Sequence, residues 1–293
     1  MQTTSDEVSP QASMPKRALP QKQGDWSDAG KRRLLSVKGD PFLFARWERV
    51  VFLHFALEPD TLRPRLRPPF ELELYDGAAI VSVVAVTMRR FRPARPASIA
   101  AWPFALISRQ VFLNLRTYVR LGDEPGALFL WGWLSQPWRV PFPSGMFGLP
   151  YGFATLRCEH LHETGEVSGL ASTLMVPGRF AYRAGVDARA TFVQCAPGTV
   201  GEFALERYTG FFCRSNERCV FRVWHPPWLQ VPITAEIEDR SLLDTAFPWF
   251  KAAKLIGASY APGFDRVWLG KAHHLAALPR RRHRGLSTLF EMP

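Results

Sequence analysis

The sequence predicts a mainly β protein with a few short helices, built as one large curved or closed sheet. Three observations carry this. Runs rich in Val, Ile, Phe, Trp and Tyr recur along the chain, separated by Gly, Pro and Asp. Turn chemistry joins neighbouring runs at Asp76-Gly77, at Asp123-Glu124-Pro125-Gly126 and at Glu163-Thr164-Gly165. The segment from Val111 to Leu121 alternates strictly: Val111, Leu113, Leu115, Thr117, Val119 and Leu121 share one face, while Phe112, Asn114, Arg116, Tyr118 and Arg120 share the other. Side chains of a strand point to opposite sides in turn, so this strand has a greasy face and a polar-aromatic face.

From the N-terminus, residues 1–38 are rich in Ser, Gln, Pro and Lys without an apolar period, and are expected to be disordered. Strands are expected at 47–57, 70–75, 78–89, 111–121, 126–135, 153–162, 167–176, 189–195, 219–225, 231–238 and 265–273. So many strands in one domain, spanning 39–278 with no linker or repeat, favour closure, which removes exposed edges. Helical turns are expected at Pro59–Leu66, at Val200–Phe211 and within Leu242–Leu255. The second opens on a capping box, Thr199-x-x-Glu202, after Pro197-Gly198. Residues 279–293 are basic and irregular, and are expected to form a disordered tail.

Composition narrows the function classes. A chain of 293 residues with 47% hydrophobic and 22% charged residues can bury a globular core. No apolar run reaches the roughly 18 residues of a membrane helix, and the N-terminus lacks an apolar signal core, so a cytoplasmic protein without membrane contact is expected. The net charge of +11 points towards nucleic acid, but its distribution does not. Residues 1–40 hold 7 basic and 5 acidic groups, and residues 271–293 hold 5 basic and 1 acidic, so more than half of the excess lies in the two ends. No nucleic-acid partner is expected. Cys158, Cys195, Cys213 and Cys219 include no C-x-x-C pair, and read as small buried side chains.

Several side chains are candidates for chemistry. Asn114, Arg116 and Tyr118 share the polar face of their strand, and an amide, a guanidinium and a phenol together suit a carboxylate or phosphate. The same residues would be ordinary on a solvent face. On the expected helix, Arg207 falls amid the apolar stripe of Val200, Phe203, Ala204 and Phe211. It then needs a carboxylate, carbonyls or an anionic ligand, unless it snorkels to water. His54, among Val50, Phe52 and Ala56, and His225, between two tryptophans at a strand end, are the candidate acid-base residues. A hydrogen-bonded structural histidine is the commoner role for each. Cys158-x-His160-x-His162 puts a thiol and two imidazoles on one strand face, but beside an expected exposed hairpin tip, and no metal is expected there. No cofactor motif is present: neither a P-loop, a G-x-G-x-x-G nor a G-x-S-x-G elbow.

A series of short motifs resembles one family. They are Phe52-Leu53-His54, Pro59-Asp60-x-Leu62-Arg63-Pro64, Tyr75-Asp76-Gly77, Asn114-Leu115-Arg116-Thr117-Tyr118-Val119 and Pro125-Gly126. They continue with Leu149-Pro150-Tyr151, Pro197-Gly198-Thr199, Glu206-Arg207-Tyr208 and His225-Pro226-Pro227-Trp228. In order, and over roughly residues 42–270, they resemble the uncharacterised bacterial YqjF-like family, domain of unknown function 2071. The resemblance implies an acetoacetate decarboxylase-like fold, a cone-shaped antiparallel β-barrel with a central cavity that Asn114, Arg116 and Tyr118 would face. It also implies a Glu two residues before Asn114, where this chain has Phe112. If that Glu is the partner of Arg116, Arg116 is here free for a ligand or the site is degenerate.

Decarboxylase chemistry does not carry over. A Schiff base needs a mid-chain lysine of lowered pKa, and there is no lysine between residues 39 and 250, only Lys251, Lys254 and Lys271 beyond. Three readings stay open: a module binding a small, partly apolar anion, an enzyme using His54 or His225 with Arg116, or a structural protein whose cone is filled. Oligomeric state is left open.

Overall fold

The computed structural model describes residues 23–95, 109–136, 149–214 and 217–275. The expected C-terminal tail and most of the expected N-terminal one lie outside the described residues. Strands dominate. They run β1 (Leu43–Leu57), β2 (Glu71–Leu72), β3 (Leu74–Tyr75), β4 (Ala78–Pro93), β5 (Arg109–Leu121) and β6 (Glu124–Leu134). Then come β7 (Tyr151–Phe153), β8 (Thr155–Leu161), β9 (Glu166–Ser172), β10 (Arg179–Gly185), β11 (Val193–Gln194) and β12 (Thr209–Arg214). The last are β13 (Glu217–Trp224), β14 (Leu229–Pro232), β15 (Thr234–Asp239), β16 (Lys254–Leu269) and β17 (His273–His274). The helices are α1 (Gln23–Leu35), α2 (Pro59–Leu62), α3 (Val200–Leu205) and α4 (Ser241–Ala246).

The larger sheet runs β16-β1-β4-β5-β6-β12-β13, and a further β13–β16 pairing returns it on itself as a ring. Most neighbours are antiparallel; β12 and β7 join β6 in parallel. A second sheet, β15-β10-β9-β8, packs outside this ring. The two faces of β5 therefore meet two cores. Leu113, Leu115 and Val119 pack with Val167, Phe180 and Tyr182 of the outer sheet. Phe112 and Tyr118 pack with Phe52, Phe221 and Trp228 inside the ring. Burial of each such aromatic contributes about 2–3 kcal/mol. Neither face of β5 is a solvent face.

Turn residues set the hairpins. Asp76 and Gly77 both take positive φ, +47° and +79°, as a tight hairpin turn demands, and β3 pairs with β4 across them. The β5–β6 turn is tighter than expected: Leu121 pairs with Glu124, leaving Gly122 and Asp123 as the loop.

Four expectations are corrected. Residues 23–35, expected to be disordered, form α1. Its buried face is Ser27, Gly30 and Leu34, at helical spacing but barely apolar, so hydrophobic periodicity does not register it. The helix expected to reach Phe211 ends at Leu205. Gly210, Phe211 and Phe212 instead pair with Ala127, Leu128 and Phe129 on one side and with Phe221, Val220 and Cys219 on the other, so sheet pairing overrides the helical pattern. The last long strand begins at Lys254 rather than 265, and β10 was not expected. His160 is not at an exposed tip: it is 2% exposed, with Nδ1 on Arg49 O (2.5 Å) and Nε2 on Tyr182 OH (2.7 Å). Among the described residues no group of His, Cys, Asp and Glu is placed to hold a metal ion, and no helix is long and apolar enough to cross a membrane.

Candidate functional site

Inside the ring lies a cavity of about 120 Å³. Its walls are largely apolar, with Phe52, Phe112, Phe129, Phe221 and Trp228 among them. Asn114, Arg116, Arg207 and His225 line it as well. It thus brings together four of the six residues singled out from the sequence. Tyr118 and His54 do not line it.

Arg116 stands on β5 where the pairing with β6 shifts register, between Leu115 and Arg116. Its Nη2 donates to the Ala204 carbonyl at 3.0 Å, near the end of α3, and its Nε to the Tyr118 hydroxyl at 3.4 Å. The guanidinium lies 5.5 Å from the Phe52 ring centre. Among the described residues no carboxylate comes within ion-pair distance of it. The position where the family resemblance implies a Glu is Phe112, on the cavity wall.

Arg207 differs. It follows α3 rather than riding on it, and its side chain is 7% exposed. Nη1 is ion-paired with Glu73, and Nε donates to the Phe203 carbonyl at 2.6 Å. Burial lowers its pKa, against the opposing pull of Glu73. Glu73 also accepts from Arg120 at 3.0 Å. The cavity therefore holds one guanidinium paired with Glu73 and one without a counter-ion among the described residues.

Tyr118, fully buried, stands behind Arg116. Its hydroxyl meets Ser82 Oγ at 2.7 Å, and Ser82 meets His54 Nδ1 at 2.8 Å. His54 is completely buried, and desolvation, aided by the charge of Arg116, lowers its pKa to about 3. It is a neutral member of a buried chain that ends on Arg116.

His225 lies at the end of β13, in Trp224-His225-Pro226-Pro227-Trp228. Its Nδ1 lies 2.7 Å from the Pro226 carbonyl. Its ring stacks on Phe264 at 4.9 Å and 14°, with Tyr208 at 4.8 Å and Trp228 at 5.0 Å. Its carbonyl accepts from Ser27 Oγ of α1 at 2.9 Å, and Ser27 Oγ in turn accepts from Trp224 Nε1 at 3.1 Å. Gly30 lets α1 approach, because a Cβ there would lie 2.5 Å from Tyr208 Cγ. Burial, aided by the charge of Arg116 and opposed by the bond to the Pro226 carbonyl, lowers the His225 pKa to about 4.

Asn114 is 5% exposed and pairs across β6 with Gly132. Gly132 also faces Tyr151 of β7, and a Cβ there would lie 1.9 Å from Tyr151 Cε1. Gly132→Ala should displace the Tyr151 ring from the cavity wall at a cost of about 1–3 kcal/mol, read as a lower urea midpoint. An unchanged midpoint would show that the ring moves without cost.

Sequence reasoning missed Glu73, Ser82 and Tyr151. Glu73 falls between the short β2 and β3, where no period assigns it a face. Ser82 lies in a run that reads only as core, and Tyr151, though part of a family motif, carries no pattern that gives it a role.

The fold is that of acetoacetate decarboxylase-like proteins. The enduracididine biosynthesis enzyme MppR, solved in complex with pyruvate, superimposes with a TM-score of 0.58 at 14% identity, covering 80% of this chain and 90% of that one. Acetoacetate decarboxylase from Legionella pneumophila superimposes with a TM-score of 0.56 at 15% identity, covering 80% and 87%. The uncharacterized protein YqjF of Bacillus subtilis (strain 168) is 25% identical over 202 residues, 68% of this chain and 78% of that protein. The model of DUF2071, an uncharacterized conserved protein family, matches residues 44–264, and the chain belongs to that family.

Proposed function

We propose that the cavity binds a small, partly apolar carboxylate, with Arg116 on its charged end and the aromatic wall around the rest. One observation carries this: in a largely apolar cavity Arg116 has no carboxylate partner among the described residues, whereas Arg207 is neutralised by Glu73. A partly buried guanidinium among aromatic rings gains charge-assisted bonds from an anion held beside it. That MppR was solved with pyruvate supports a small carboxylate in this fold. The open volume speaks against the filled-cone reading. Schiff-base chemistry lacks its nucleophile, since no lysine lines the cavity and Lys251, Lys254 and Lys271 are exposed.

A second reading, a lysine-independent enzyme, draws on His225 in the same cavity. Its lowered pKa makes it a neutral acceptor at pH 7 and a poor proton donor. Less supports His54 in that role, since it is fully buried and does not line the cavity.

Native mass spectrometry with small-molecule extraction tests the binding reading. The wild-type chain should carry an organic anion, and Arg116→Ala should lose it, with affinity down about 10- to 100-fold on titration. Equal occupancy in Arg116→Ala would overturn the reading.

A further inference from the structure

We propose that His225 is a specificity-determining residue of this cavity, selecting monocarboxylates that also carry a hydroxyl or N–H donor. The inference rests on the carboxylate reading above and narrows its ligand class.

The argument starts from the Pro226 carbonyl. A carbonyl oxygen only accepts, so the 2.7 Å contact requires the proton to sit on His225 Nδ1. The neutral ring then presents a lone pair at Nε2. Among the described residues no side chain or backbone group donates to that nitrogen. The ring cannot readily exchange its two nitrogens. It is stacked on Phe264 and flanked by Tyr208, Trp228 and Trp47, and its backbone is tied to α1 through Ser27. The result is a fixed, unsatisfied acceptor on the wall of a largely apolar cavity.

Asn114 Oδ1 and Gln110 Oε1 on the same wall are also acceptors without a partner among the described residues, so the wall asks for a donor at more than one point, of which the His225 ring is the most rigidly held. Arg116 and Arg207 only donate. The Thr209 hydroxyl is committed to Glu124 at 2.6 Å. A ligand that fills the cavity must therefore offer negative charge to Arg116 and a hydrogen to His225. A simple carboxylate displaces water from the imidazole and returns nothing. A buried acceptor left bare costs more than a made bond yields, so the donor-bearing acid is favoured. Charge sets the other limit. With Arg207 matched by Glu73, one guanidinium is uncompensated among the described residues, which fits a monoanion better than a phosphate dianion.

The test is calorimetric titration of the full chain at pH 7.5 with phenylacetate, mandelate and 4-hydroxyphenylacetate. These share a ring and a carboxylate and differ in the presence and place of a hydroxyl. At least one hydroxy acid should bind wild type about tenfold more tightly than phenylacetate. His225→Phe should cut that preference to about twofold or less, because phenylacetate no longer leaves a bare acceptor behind. His225→Gln, which retains an acceptor, should restore part of it. Equal affinities for all three acids in wild type would overturn the proposal and leave the carboxylate reading standing. So would a preference that survives in His225→Phe. If His225→Phe fails to fold, His225→Leu is read in its place by the same criterion. If none of the acids binds, the carboxylate reading fails and this proposal falls with it.

Discussion

Glu73→Ala should lower the stability of the chain by about 3–5 kcal/mol, because it strands the Arg207 guanidinium in a site that water barely enters. The cost is not the value of the ion pair. It is the penalty of a buried charge with no partner, which the remaining carbonyl of Phe203 cannot meet. Arg207→Met should be far milder, since Glu73 keeps Arg120 at 3.0 Å. The double variant Glu73→Leu/Arg207→Met should recover most of the loss, as both charges leave together. Urea denaturation of the three variants checks this ordering. A Glu73→Ala chain within about 0.5 kcal/mol of wild type would show that Arg207 is solvated in solution. Arg207→Met should also leave carboxylate affinity unchanged, which would separate its structural role from the ligand contact assigned to Arg116.

Acid should destabilise the chain well above the carboxylate range. His54, His160 and His225 are each almost fully buried, and burial lowers their pKa values to about 3, 4 and 4. In the unfolded chain each takes its ordinary value near 6.5. Above that pH both states are neutral and their contribution is whole. As pH falls from 6.5 towards 4 the unfolded chain gains protons that the native chain refuses, so stability drops. At pH 5 each histidine accounts for about 2 kcal/mol. Glu206 and Asp40, whose pKa values burial raises, act in the opposite sense and offset part of this. Urea midpoints at pH 7.5 and pH 5 should differ accordingly, and His225→Phe should reduce the difference. Equal midpoints at the two pH values would show that the imidazoles are accessible to protons in the native state.

The two-faced strand at Val111–Leu121 was fully legible, since alternation depends only on neighbours along the chain. Its consequence was not. Whether the face of Asn114 and Arg116 meets water or a cavity depends on ring closure by β13 and β16, whose partners lie far apart in sequence. For Arg207 the sequence leaves a carboxylate, carbonyls, an anionic ligand and water all open as partners, and places it on a helix. The helical wheel placed it on an apolar stripe, while in fact the helix has ended and Glu73 reaches it from the β2–β3 segment. The α1 helix was invisible because its contacts are a serine hydroxyl, a missing Cβ, a single Leu34 and two basic side chains, Lys31 over Trp224 and Arg33 beside Glu124, which together make no hydrophobic periodicity. The shared face together with the family resemblance puts Tyr118 beside the ligand. A shared face gives direction but not depth, and its hydroxyl is spent on Ser82 and Arg116.

The division of β5 between two cores bears on how such a protein can change over time. Alternate positions answer to different demands: Leu113, Leu115 and Val119 hold the outer sheet, while Phe112, Asn114 and Arg116 line the interior volume. Substitutions at the second set can alter what the interior accepts without weakening the grip of the first. A single strand of this kind lets a lineage explore new ligands one residue at a time while its scaffold is kept under separate selection.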